Sequence, residues 1–193
     1  MVFKTAALLL LALCGPAPAA EKLLAHPYWG LPRSSGTVTS QLPGLVKGEM
    51  LEYDIYWGAI RVGRSFISVE DAVEIASRPA WHIVSEAHSG SFIDNFYHVD
   101  DRNEAWMDAA DLYSYGYYKK VQEGKFFTNE WAVFDRADKR YYGQKMNRKR
   151  EISAFEGVLE KPVNDIFSAV YRLRAMTVEP GSKVEMDVNS RKN

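Results

Sequence analysis

The chain has 193 residues, a length that suits one domain with a sizeable hydrophobic core. Its 24 basic and 25 acidic residues give a formal net charge of −1, which excludes the strong basic field of a nucleic-acid-binding protein. Hydrophobic residues make up 47% of the chain and exclude wholesale disorder. No apolar run reaches the roughly 18 residues of a transmembrane helix, so we expect a globular protein without a membrane-spanning helix.

The first 19 residues have the layout of a secretory signal peptide. Lys4 gives a positively charged start, an apolar run extends to Cys14, and Ala17 and Ala19 supply small residues before a cleavage site. We therefore predict cleavage after Ala19 and a periplasmic or secreted location. Because Cys14 is the only cysteine, the mature chain would have no disulfide, no thiolate nucleophile and no cysteine-ligated zinc.

Residues 20–46 are predicted to form an extended leader, because Pro and Gly interrupt them repeatedly. Tyr28 and Trp29 in this leader are candidates for docking on the domain that follows. Residues 47–193 are predicted to form that single β-rich domain.

An alternation of apolar and polar residues predicts strands from Glu49 onward. Leu51, Tyr53 and Ile55 alternate with polar neighbours, and the segment Ala80–Ser89 has the same period of two. Short strands joined by tight turns predict a mainly β fold, a curved antiparallel meander or partial barrel. Further strands are expected at Arg64–Glu70, Tyr97–Asp100, Asn103–Met107, Tyr113–Gln122, Glu130–Asp135, Arg140–Lys145 and Glu151–Phe155.

One amphipathic helix is predicted near the C-terminus, where it would pack against the sheet. Asn164 or Asp165 can cap this helix, which runs to about Arg174. Its apolar stripe is formed by Ile166, Phe167, Val170 and Leu173. A strand over Lys183–Val188 follows without a successor, which predicts an open edge and a domain that lacks C-terminal strands.

Three segments together resemble the bacterial domain of unknown function 3108 family. They are Gly48–Gly58 with Gly63 following, Val99–Asp101 with Asp108, and Asp165–Arg174 before Pro180-Gly181. The resemblance covers roughly Gly48 to Val188. It implies a β-rich fold and an exported protein of the bacterial envelope, and it supplies no catalytic residues.

The leading functional hypothesis is non-catalytic binding of an apolar or lipid-like ligand in the concave sheet. Aromatic residues are abundant enough for some to line that surface, with the helix as its lid. The predicted ligand-binding residues are Trp57, Trp81, Trp106 and Phe167. We expect no catalytic residue, metal or cofactor under this hypothesis.

Two alternatives remain open. A metal-dependent or acid–base hydrolase would use Glu86, His88, His98 and Asp100, which could converge if residues 89–96 fold back as a connection. A protein-interaction module would instead dock through its open strand edge. In addition, six basic residues between Lys139 and Arg150 predict contact with an anionic envelope surface.

Overall fold

A computed structural model describes residues 25–34 and 45–189 of the chain. The predicted signal peptide lies outside these described residues, as do parts of the predicted leader. The elements in chain order are β1 (Met50–Trp57), β2 (Ile60–Val69), β3 (Val73–Ile75), β4 (Arg78–Ser89), α1 (Ser91–Asp94), β5 (Asp100–Asp108), β6 (Ser114–Glu123), β7 (Phe126–Asp135), β8 (Arg140–Asn147), β9 (Ile152–Val158) and α2 (Ile166–Arg174).

All nine strands of the described residues belong to one antiparallel sheet. The strand order is β1-β2-β4-β5-β6-β7-β8-β9, and the short strand β3 pairs with the first residues of β4. The mainly β antiparallel meander is therefore confirmed. The sheet is open rather than closed into a barrel, with β1 and β9 at its two edges.

Strand pairing assigns alternate residues to two faces with different covers. Trp81 lies opposite Met107, and both belong to a hydrophobic cluster that includes Tyr171 of α2. We call this side the helix face. His82 lies opposite Trp106 on the other side, where residues 25–34 cover the sheet. We call that side the segment face.

Two strand glycines permit neighbouring strands to approach closely. A Cβ atom at Gly63 would lie 2.5 Å from the carbonyl oxygen of His88, and one at Gly143 would lie 2.0 Å from the carbonyl oxygen of Trp131. Any side chain at either position would therefore displace the backbone of the adjacent strand, as expected where a sheet bends.

The predicted helix is confirmed as α2, and Asp165 is its N-cap. One carboxylate oxygen of Asp165 accepts hydrogen bonds from the backbone N–H groups of Phe167 at 2.9 Å and Ser168 at 3.1 Å. The predicted apolar stripe is only partly correct. Tyr171 is buried and Phe167 packs against the core, whereas Ile166, Val170 and Leu173 are exposed. The Tyr171 side chain fills the core, and this contact sets which side of the helix faces the sheet.

Three strand predictions need correction. Tyr97–Asp100 is not a separate strand, because β5 runs continuously over Asp100–Asp108. The three-residue strand β3 was not predicted, since it is too short to show an alternating pattern. Lys183–Val188 is not a strand, and Val188 forms only an isolated parallel bridge with Asn164. The expected open edge at Lys183–Val188 is therefore wrong for the described residues, whose sheet ends at β1 and β9.

Candidate functional site

The segment face is covered by a stretch of chain that lies far away in sequence. His26 is only 2% exposed, and its ring stacks on that of Trp106 with ring centroids 4.2 Å apart. The ring of Trp131 meets His26 edge-on at 5.6 Å. Tyr28 meets Trp106 edge-on at 5.7 Å. Docking of the leader residues Tyr28 and Trp29 on the domain thus takes place through stacked and edge-on rings, an arrangement that stabilises aromatic clusters.

Both ring nitrogens of His26 have hydrogen-bond partners. Nδ1 accepts the backbone N–H of Tyr28 at 3.1 Å, and Nε2 lies 3.3 Å from the carbonyl oxygen of Ala132. Since a carbonyl oxygen only accepts, Nε2 must carry a hydrogen. Nδ1 acts as an acceptor and therefore carries none, so the ring is neutral. Burial lowers the pKa of His26 to about 4, although the Ala132 hydrogen bond and the nearby Glu104 carboxylate oppose that shift.

A buried carboxylate connects this cover to the sheet. One oxygen of Glu104 accepts hydrogen bonds from Trp29 Nε1 at 3.1 Å and His82 Nε2 at 2.9 Å. The other oxygen accepts from Arg102 Nε at 2.8 Å. Burial raises the pKa of Glu104, but the hydrogen bonds from His82 and Arg102 outweigh it and lower the pKa to about 2. Glu104 is therefore ionised at neutral pH.

A cleft of about 830 Å³ lies between the covering residues and the sheet. Its floor includes Phe66, Val84 and Trp106, and one wall is formed by Tyr28, Trp29 and Leu31. The side chains of His82, Glu86 and Arg102 add charged and polar groups to the same cleft. The charged residues Arg33, Glu49, Glu70 and Asp71 also line it, so the cleft combines apolar and charged surface.

The four predicted ligand-binding residues are not brought together. Trp106 lines the cleft on the segment face and is 1% exposed. Trp81 is 2% exposed and lies on the helix face, where Phe167 packs against the same cluster. Trp57 is 76% exposed at the end of the edge strand β1. Of these four residues, only Trp106 is therefore placed at the cleft.

Three of the four alternative catalytic residues meet at the surface, because His88 lies between Glu86, 4.0 Å from its Nε2, and Asp100, while His98 pairs with Asp94 instead. His88 Nδ1 lies 3.3 Å from an oxygen of Asp100, whose other oxygen is 2.6 Å from Lys120 Nζ. Glu86 is paired with Arg102, while His98 Nδ1 lies 2.6 Å from Asp94. Within residues 25–34 and 45–189, no three His, Cys, Asp or Glu side chains are placed to hold a metal ion.

A second, much smaller cavity of about 60 Å³ lies on the helix face beside the start of α2. Its walls include Thr128, Glu130 and Tyr117, and the Tyr117 hydroxyl donates a hydrogen bond to Glu130. The buried Thr128 hydroxyl has no hydrogen-bond partner in the described part of the chain. This cavity has room for one or two water molecules rather than for an amphiphile.

The basic run predicted to meet an anionic surface is spread along β8, with Lys145 inside the strand and the other five residues near its two ends. Lys139 and Arg140 lie at its start, whereas Arg148 and Arg150 lie in the turn after its end, roughly 25 Å away at the usual strand rise. The Arg150 guanidinium packs over the ring of Phe127 at 4.5 Å. The run therefore does not form one compact patch.

His26 and Glu104 are the residues of the candidate site that sequence reasoning missed. Glu104 lies within the predicted strand Asn103–Met107, where alternation assigns it to the face opposite Ala105. Its burial depends on Trp29, which is 75 residues earlier in the chain. Ala132, the partner of His26, is separated from it by 106 residues. No local pattern in the sequence signals either contact.

The fold defines a class of protein: an open antiparallel β-sheet with a helix packed on one face and a cleft on the opposite face. The chain belongs to the family described as Protein of unknown function (DUF3108), whose model matches residues 52–193. The resemblance carried by the three sequence segments is thereby confirmed. Comparisons with curated proteins and with solved structures find no match. Among the described residues, no helix is long and apolar enough to cross a membrane.

Proposed function

We propose that this chain is an exported envelope protein that binds an apolar or lipid-like ligand without transforming it. The cleft on the segment face is the observation that supports this proposal most directly. Its volume of about 830 Å³ falls within the range of small-molecule sites. The signal-peptide pattern of residues 1–19 supports export.

The composition of the cleft narrows the class of ligand. Trp29, Leu31 and Phe66 line the cleft without being buried and offer an apolar surface for a hydrocarbon chain, whose burial is favourable by about 0.8 kcal/mol for each CH₂ group. Arg102 and Glu86 at the same cleft are charged groups that suit a polar head group. We therefore propose a single-chain amphiphile as the ligand.

The ion pairs favour binding over hydrolysis. Asp100 is held by Lys120 and His88, and Glu86 by Arg102, so each carboxylate of the alternative catalytic set already has a cationic neighbour. The hydrogen bond from Lys120 holds the pKa of Asp100 below its usual range, which makes this carboxylate a poorer base.

Native mass spectrometry of the chain purified from the envelope fraction of its own cells tests export and binding together. We expect a mass that lacks residues 1–19 and an additional non-covalent adduct. A second measurement uses NBD-labelled lysophosphatidylcholine below its critical micelle concentration. Its fluorescence should rise and saturate at one probe per chain.

A pair of matched variants locates the bound probe. Ser68 lines the cleft, so Ser68→Trp should fill it and weaken probe binding at least tenfold. Val158 is exposed on β9, which is separated from β5 by three strands, so Val158→Trp should bind as the unaltered chain does. Non-saturable binding, or equal weakening in both variants, would overturn the proposal.

A further inference from the structure

The docking of residues 26–29 depends on a histidine that is bound in its neutral form. His26 Nε2–H donates to the carbonyl oxygen of Ala132, and Nδ1 accepts from the backbone N–H of Tyr28. Protonation would add a hydrogen to Nδ1 and direct it at the N–H of Tyr28. Two donors would then face each other in a site that is closed to water, which is an unfavourable arrangement.

Few groups around the ring could compensate for a positive charge. The titratable groups that face His26 are Glu104 on β5, His82 on β4 and Tyr28 on its own segment. The Glu104 carboxylate attracts the charge, but its oxygens already accept hydrogen bonds from Arg102, His82 and Trp29. The remaining surroundings of His26 are the aromatic rings of Trp106 and Trp131 and the backbone of Ala132 and Tyr117, whose carbonyl oxygens favour a positive charge only weakly.

His26 and the cleft are structurally linked. Tyr28, Trp29 and Leu31 form one wall of the cleft, and His26 immediately precedes these residues in the chain. Trp29 is held by its indole hydrogen bond to Glu104. Release of His26 would therefore free the part of that wall formed by Tyr28 and Trp29 and break the Trp29–Glu104 bond, whereas Pro32 and Ser34 remain hydrogen-bonded to Glu74 and Ala72.

We propose that protonation of His26 releases residues 26–29 from the sheet and opens the cleft in mild acid, while the backbone hydrogen bonds of Pro32 and Ser34 hold the rest of the segment in place. Loss of ligand in acid follows as a consequence that rests on the binding function proposed above. The release itself requires no ligand.

The pH range follows from the difference between the docked and released states. Burial lowers the pKa of docked His26 to about 4, against 6.5 for the free side chain. Docking is therefore fully stable above pH 6.5 and weakens as the pH falls from 6.5 to 4. Over that range the docking equilibrium constant should fall by about two orders of magnitude.

The NMR spectrum of the ¹⁵N-labelled full chain without ligand tests this release. Trp29→Phe identifies the Trp29 indole N–H signal, and the exposed Trp57 indole supplies an internal reference. We expect the Trp29 signal to move from its hydrogen-bonded position to that of a solvated indole as the pH falls from 6.5 to 4. The imidazole signals of His26 should change over the same range.

Histidine variants separate the role of His26 from a general effect of acid. His26→Gln should remove the transition of the Trp29 signal, as should His26→Phe, which retains a stacking ring if the Gln variant does not fold. The exposed residues His88 and His98 provide controls, since His88→Gln and His98→Gln should leave the transition unchanged. A Trp29 signal that stays constant down to pH 4 in the unaltered chain would overturn the proposal. So would a Trp29 signal that moves in His26→Gln and His26→Phe as much as it does in the unaltered chain.

The lysophosphatidylcholine probe distinguishes failure of the switch from failure of the binding function. Its head group keeps its charges between pH 4 and 8, so a change in affinity reports on the protein. Probe binding at pH 7.5 with a constant Trp29 signal refutes the switch alone. A moving Trp29 signal without any probe binding refutes the ligand function and leaves the acid-induced release standing.

Discussion

The two faces of the sheet are covered in different ways. On the helix face, α2 packs its buried Tyr171 into the core, and its first turn is capped by Asp165. On the segment face, residues 25–34 contribute no helix and only one isolated bridge, between Arg33 and Val73. The cavity beside α2 measures about 60 Å³, whereas the cleft under the segment measures about 830 Å³. A regular helix thus fills its face, while an irregular segment leaves an open cleft.

The largest expected effect comes from removing the central tryptophan of either face. Trp81→Ala and Trp106→Ala should each lower the free energy of unfolding by about 3–5 kcal/mol, because both side chains are buried. Urea denaturation measures this loss. Trp57→Ala, at an exposed position, should stay within about 0.5 kcal/mol.

The same three variants sharpen the contrast between the faces. Only Trp106→Ala removes a stacking partner of His26, so only this variant should also free the Trp29 indole N–H at neutral pH. An equal response of the Trp29 signal in Trp81→Ala would show that the two covers are not independent.

A smaller loss of stability is expected when Glu104, the carboxylate that binds Trp29 of the segment, is replaced. Glu104→Gln should lower the free energy of unfolding by about 2 kcal/mol at pH 7, because it leaves Arg102 and His82 without their ionic partner. The hydrogen bonds from these residues lower the pKa of Glu104 from 4.5 to about 2, although burial opposes the change. This stabilisation is therefore complete above pH 4.5 and is lost as the pH falls toward 2.

Stability curves against pH separate Glu104 from His26. In Glu104→Gln, the free energy of unfolding should no longer fall below pH 4.5 through Glu104. Its fall between pH 6.5 and 4, which we assign to His26, should remain. The exposed Glu156→Gln serves as the control and should leave both ranges unaltered. Disappearance of the upper range in Glu104→Gln would contradict the assignment of that range to His26.

The helix face should show a more moderate effect at its cap. Asp165→Ala should lower the free energy of unfolding by about 1–2 kcal/mol, since the N–H groups of Phe167 and Ser168 lose their acceptor. Asp165→Asn keeps a side-chain oxygen that can accept from both N–H groups, so thermal unfolding should show a smaller loss for Asp165→Asn than for Asp165→Ala. Equal losses in both variants would refute the capping role.

The smallest effect is expected where α2 meets the strand edge. Arg174 donates two hydrogen bonds to Glu49, at 2.7 and 2.9 Å, at the surface. Arg174→Ala should therefore lower the free energy of unfolding by less than about 1 kcal/mol, and less again in high salt. A loss above 2 kcal/mol, measured by urea denaturation, would show that this pair fixes the helix on the sheet.

Local sequence patterns predicted most of the fold. The alternation around Leu51, the pattern of Ala80–Ser89 and the cap at Asp165 each depend on neighbours within a few residues. The same logic failed at Lys183–Val188, because alternation indicates a strand only when a second strand is available to pair with it. The only bridge that the described residues form with this segment is the one between Asn164 and Val188.

The candidate site was predicted far less well, because it depends on strand register and on distant contacts. Trp81 and Trp106 were assigned to one surface, but Trp81 pairs with Met107 and His82 pairs with Trp106. A shift of one residue in pairing exchanges the two faces, and the sequence does not state that register. His26 lies in an irregular leader that shows no periodic pattern. Its burial depends on Trp106 and Ala132, which follow it by 80 and 106 positions.

The meander order has a consequence for the sequence of folding events. Apart from the detour through β3, each strand of the path pairs with the strand that precedes it, so the sheet can grow hairpin by hairpin as the chain is synthesised. The segment that contains His26 is made early but cannot dock until Trp106, Trp131 and Ala132 are in place. We therefore expect the segment that is made first to settle last, so that the cleft takes shape only after the sheet is built.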